Sequence, residues 1–118
     1  MRSSAARVAG LAAAVVLIAN LFAIGAQPVA VGLVPAPWDK LAHGALFALL
    51  GVLLAIASGG RRAWLVLAVL VAVAFADELA QAHLPGRVVS VTDLVADVAG
   101  AIAGVGAMTL ALARRPGA

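Results

Sequence analysis

Four apolar runs, at residues 8–26, 41–58, 63–84 and 92–113, are joined by short polar turns. A helix needs about 20 mostly apolar residues to cross roughly 30 Å of hydrocarbon, and each run is long enough. Composition agrees with that reading. Only 11% of the 118 residues are charged and 65% are hydrophobic, whereas a water-soluble domain carries about 25% charged residues. The connections contain helix-stopping chemistry: Pro28, Pro35 and Pro37 break the stretch after the first run, because proline lacks an N–H and clashes with the preceding turn. Ser58-Gly59-Gly60-Arg61-Arg62 and Leu84-Pro85-Gly86-Arg87 read as tight turns. Short connections make consecutive helices antiparallel. The expected fold is an all-α integral membrane protein, a single transmembrane domain over 1–118. Its four transmembrane helices would form an up-down antiparallel bundle.

Charge is distributed unevenly between the two ends of such a bundle. Arg2, Arg7, Arg61, Arg62, Arg114 and Arg115 fall at one end; Lys40 and Arg87 fall at the other with every acid, Asp39, Asp77, Glu78, Asp93 and Asp97. Basic loops stay cytoplasmic, so both termini are expected in the cytoplasm and the acidic end on the far side. Trp38 and Trp64 lie at opposite ends of the second and third runs, where interfacial anchors belong. The net charge of +3 comes without any basic patch interleaved with aromatics, so no nucleic-acid partner is expected. With no cysteine in the chain, disulfides, thiolate metal sites and cysteine nucleophiles are excluded. Residues 1–7 resemble the basic start of a signal peptide. The apolar run that follows is longer than the roughly 7–15 residues usual there, and Ala23-Ile24-Gly25 is a poor cleavage site, so the first helix is expected to stay as an anchor.

Depth turns the polar residues into a layer. The strictly apolar part of the third run, 63–76, has 14 residues and covers about 21 Å at about 1.5 Å per residue. The helix must therefore continue through Asp77, Glu78 and Gln81 to reach the surface, submerging both carboxylates. The same arithmetic for 44–57 puts His43 at a similar depth, and 98–113 submerges Asp97. Ionisable groups are expensive in lipid, so they should face one another or a water-filled cavity. Angular spacing supports convergence: Asp39, Lys40 and His43 share an arc of about 100°, as do Asp77, Glu78 and Gln81. Asp93, Asp97, Gly100 and Gly104 form a stripe about 60° wide, whose glycines permit close helix approach.

Four fragments recur in order: Asp39-Lys40-x-x-His43, Glu78-x-x-Gln81, Pro85-Gly86-Arg87-x-x-Ser90-x-x-Asp93 and Asp97-x-x-Gly100-x-x-x-Gly104. Over residues 38–104 this pattern resembles the VanZ-like family of small bacterial membrane proteins. One position departs from it: the family usually carries asparagine where this chain has Asp97, which adds a negative charge. The resemblance implies a multi-pass protein of the bacterial inner (cytoplasmic) membrane in a cell-envelope context, with a link to low-level resistance to the glycopeptide teicoplanin.

The residues themselves leave several roles open. Asp39, one turn before His43, could orient its imidazole, or His43 could simply close a buried hydrogen-bond network. The carboxylates could hold Mg²⁺ or another divalent cation, share a proton as an acid–base pair, or serve as internal partners for Lys40 and Arg87. Arg87, beside the start of the fourth helix, could grip a phosphate or carboxylate or pair with Glu78 or Asp77. Ser90 is placed to cap that helix, and His83 lies opposite the Asp77–Gln81 arc. The leading expectation is a pocket within the membrane, facing outward, that binds a polar or anionic lipid-linked headgroup. In it Lys40 and Arg87 contact the anion, and His43, Glu78 and Asp97 form an acid–base or cation-holding centre. Asp39, Asp77, Gln81, Ser90 and Asp93 complete the lining. The rivals are a headgroup hydrolase or transferase using the same carboxylates, and a non-catalytic protein with an internal charge network. A proton path is disfavoured, because 14 apolar residues separate His43 from the turn at 58–62.

Overall fold

A computed structural model describes residues 3–27, 34–86 and 90–114. It contains four helices, α1 (Ser4–Gly25), α2 (Trp38–Ala57), α3 (Ala63–Gln81) and α4 (Val91–Ala113), with no strand among the described residues. The helices have 22, 20, 19 and 23 residues, lengths of about 28–35 Å that match the hydrocarbon core. Each is apolar enough to cross a membrane. Large apolar side chains such as Val15, Leu49, Val69, Phe75 and Ile102 point outward, as a lipid-facing surface requires.

The helix ends follow local chemistry. Ser3 starts α1 by accepting the Ala6 N–H on its Oγ at 3.1 Å, which draws the helix four residues earlier than its apolar run. The α2 to α3 turn places Gly59 at φ +70° and Gly60 at φ +76°, a left-handed backbone that side chains resist. Helix α3 stops at Gln81 rather than 84. Proline at 85 disfavours the helical conformation for Leu84, whose N–H closes a tight turn onto the Gln81 carbonyl at 3.0 Å.

Consecutive helices alternate in direction, but the closest packing lies elsewhere. The expectation that short connections set the neighbours is modified here, because the tightest pair is α2 with α4, which run parallel. Small residues explain it. A Cβ added at Gly100 would fall on the Gly44 carbonyl, and one at Gly104 on the Ala48 carbonyl. At Gly51 it would come within 2.8 Å of the Val105 nitrogen. Backbones can touch there only because the side chains are missing. Helix α1 docks on α2 through Gly10, where a Cβ would sit 2.8 Å from the Leu53 carbonyl oxygen. At the same end the Arg7 Nε donates to the Ala57 carbonyl at 3.1 Å. Ala14, Phe47, Leu50, Val66, Leu70, Ala74, Ala101 and Val105 form the buried core. Above that core lie the C-terminal ends of α1 and α3 and the N-terminal ends of α2 and α4.

Candidate functional site

The polar residues of α2 and α4 meet as two rungs, one turn apart. In the shallower rung the Lys40 Nζ lies 2.8 Å from Asp39 Oδ2 and 2.9 Å from Asp93 Oδ1. In the deeper one His43 Nδ1 lies 2.9 Å from Asp97 Oδ1. The parallel run of the two helices creates this register: residues 40 and 43 share one face of α2, while 93 and 97 share one face of α4. The expectation that Asp39 orients His43 is corrected. Asp39 pairs with Lys40, and the glycine seam brings Asp97 close enough to take the imidazole. Lys40, expected to contact an anion, has its ammonium between two carboxylates.

Helix α3 contributes a different set. The Gln81 Nε2 donates to Asp77 Oδ1 at 2.9 Å, one turn earlier on the same face. Glu78 Oε2 accepts the Ser90 N–H at 3.1 Å, tying the end of α3 to the start of α4. The Ser90 Oγ accepts the Asp93 N–H at 3.3 Å and shares a hydrogen with Thr92 Oγ1 at 2.7 Å. That hydroxyl is engaged as a helix cap. Asp77 lies within electrostatic range of His43, Asp97 and Glu78, so the α3 acids face the α2–α4 rungs. Gly25 of α1 lies against them: a Cβ there would sit 3.2 Å from Gln81 Nε2 and 3.6 Å from Asp77 Oδ1. Sequence reasoning missed Gly25, because a glycine at the end of an apolar run reads simply as a helix stop. His83 is exposed, and Arg87 lies outside the described residues.

Burial sets the electrostatics. Asp97 is 0% exposed, Asp77 1%, Glu78 5% and Gln81 6%. Among the described residues, Asp39 Oδ1, Asp77 Oδ2, Glu78 Oε1, Gln81 Oε1 and Asp97 Oδ2 are buried without a hydrogen-bond partner. An unsatisfied buried acceptor costs about 1–3 kcal/mol, more when charged, and proteins leave few of them. Among the described residues, no three His, Asp or Glu side chains are disposed to hold a metal ion.

The fold and this half-satisfied layer define a class: a small four-helix membrane protein with a polar cluster built into one end of its bundle. Residues 6–112 match the sequence profile of the VanZ/LLP1 family, nearly the whole chain, and the protein belongs to that family. No curated protein and no solved structure matches it.

Proposed function

We propose that this protein binds the polar headgroup of a lipid or lipid-linked molecule in the polar layer at the acidic end of its bundle. The distribution of arginines supports placing that end on the outer side of the bacterial cytoplasmic membrane. The family's association with glycopeptide resistance fits this cell-envelope setting. One observation carries the reading: five buried side-chain oxygens on α2, α3 and α4 have no hydrogen-bond partner among the described residues, so donors from a bound molecule would complete them. Lys40 and Asp93 act as a clamp that positions the rim, and Glu78 holds the α3–α4 turn in place.

The experiment is native mass spectrometry of the protein released from native membranes in mild detergent. Retention of one headgroup class, weakened by Asp77→Asn and by Gln81→Met, is the expected result. Unselective retention that ignores both substitutions refutes the reading. A second reading, a headgroup hydrolase or transferase, draws on the His43–Asp97 contact of 2.9 Å. A carboxylate at Nδ1 leaves Nε2 to act as a general base on a water or hydroxyl. Turnover of labelled membrane lipid that disappears in His43→Gln while lipid retention persists is the result that favours it.

A further inference from the structure

We propose that the group this layer recognises is a primary ammonium, the headgroup chemistry of an aminated lipid or of a small soluble amine. The inference rests on the headgroup-binding reading and specifies its ligand. Charge is the first ground. The acidic end carries five carboxylates, against Lys40, Arg87 and at most a protonated His43, a formal surplus of negative charge. An anionic ligand would add to that surplus.

Gln81 supplies an independent second ground. Buried carboxyls can relieve one another by taking up protons, and the empty oxygens of Asp77, Glu78 and Asp97 could be silenced that way. An amide oxygen takes up no proton of its own. The Gln81 nitrogen donates to Asp77 Oδ1 at 2.9 Å, and its Oε1 has no hydrogen-bond partner among the described residues in a side chain 6% exposed. That oxygen is open to a donor from a bound molecule.

The choice among donors follows from what each satisfies. A bare divalent cation needs several oxygens converging at about 2.0–2.6 Å, and the described carboxylates form no such group. A neutral hydroxyl supplies a hydrogen but no charge. A quaternary ammonium supplies charge but no hydrogen. A primary ammonium supplies three donors and one positive charge, which meets both needs. The protein already contains an instance of this recognition: the Lys40 ammonium is held by Asp39 and Asp93 at 2.8 and 2.9 Å. The ligand would repeat that arrangement on the Asp77 and Gln81 oxygens, one turn apart on the same face of α3.

The test uses the full chain in detergent, with phosphatidylethanolamine, phosphatidylcholine, phosphatidylglycerol and a neutral glycosyl-diacylglycerol of identical acyl chains, read by native mass spectrometry. A charge-assisted hydrogen bond corresponds to about tenfold or more in affinity. Phosphatidylethanolamine is therefore expected to be retained roughly tenfold over each of the others. Gln81→Met should bring it down to the level of phosphatidylcholine. Soluble ethanolamine is added in a parallel arm: displacement of the lipid assigns the recognition to the amine, and binding of ethanolamine without any lipid preference assigns it to a free amine. Retention of phosphatidylcholine equal to phosphatidylethanolamine, or a preference for phosphatidylglycerol, overturns the inference. A glycolipid preference abolished by Gln81→Met overturns the ammonium and leaves headgroup binding standing. No selectivity for any lipid or for ethanolamine overturns both. The order of the four lipids on the wild-type protein by itself supports or overturns the ammonium, so a poorly folding variant does not blunt that part of the test.

Discussion

Replacing Gly100 with alanine adds a single methyl group, and the structure places it on the Gly44 carbonyl. The backbones must part by about 1 Å or more to restore ordinary contact, in an interior that packs as densely as an organic crystal. Overpacking of this kind costs about 1–3 kcal/mol. The displacement has a second consequence, because Gly44 follows His43 in the chain and Gly100 lies one turn beyond Asp97. A shift of that size stretches the 2.9 Å contact between His43 and Asp97 past the roughly 3.2 Å limit of a useful hydrogen bond. Losing a bond to a charged group costs about 1.5–3 kcal/mol, giving a total of roughly 2.5–6 kcal/mol. Gly106→Ala is the matched control, since a Cβ at Gly106 meets nothing within 4 Å. Its helix should gain up to about 1 kcal/mol from the lost backbone freedom of the unfolded chain. The assay is reversible unfolding in mixed micelles of rising SDS content, followed by circular dichroism. If Gly100→Ala unfolds within about 1 kcal/mol of Gly106→Ala, the backbone seam does not hold the polar layer together and the reasoning fails.

Further predictions concern single contacts and topology. Asp97→Asn keeps an oxygen for the His43 Nδ1 while removing a buried ionisable group, so stability should hold or rise; Asp97→Leu should lose about 2 kcal/mol or more by stranding the imidazole. A loss in Asp97→Asn equal to that in Asp97→Leu would show that the charge itself is required. Glu78→Gln should still accept the Ser90 N–H, whereas Glu78→Ala should cost about 1–2 kcal/mol and speed amide exchange at Ser90; equal exchange in the two variants counts against the tie between α3 and α4. A cysteine at Arg61 should be protected from an impermeant thiol reagent in intact cells and one at His83 should be labelled, and the reverse pattern would invert the proposed orientation.

The parts of the fold that could be read beforehand were those governed by local physics. Apolar run length and the prolines and glycines between runs located four helices, because lipid and backbone geometry act on each segment alone. The gathering of the polar residues at one end of the bundle was legible for the same reason, since counting apolar residues along each run sets where its polar end begins. Which side chains pair was not legible. Asp39 is one turn from His43 in sequence, yet Asp97, 54 residues away, takes the imidazole. That outcome depends on the interhelical distance, set by Gly44, Ala48 and Gly51 on one side and Gly100 and Gly104 on the other. Only the second half of this seam stood out as a stripe, because in α2 its small residues are interleaved with many other apolar ones. Gly25 illustrates the same limit: its contact with Gln81 depends on how α1 leans, which no local pattern encodes.

The pairing of α2 with α4 also imposes an order on biosynthesis. His43 and Lys40 reach the membrane before the helix that supplies Asp97 and Asp93 has been made. At about 5–20 residues per second, the 54 residues from His43 to Asp97 take roughly 3–11 s to synthesise. Throughout that interval α2 carries an imidazole whose acceptor does not yet exist, and α3 then adds Asp77 and Glu78 to a half-built bundle. The nascent chain must therefore wait at the membrane, sheltered by the insertion machinery or by water at the headgroup level, until its last helix arrives and closes the structure.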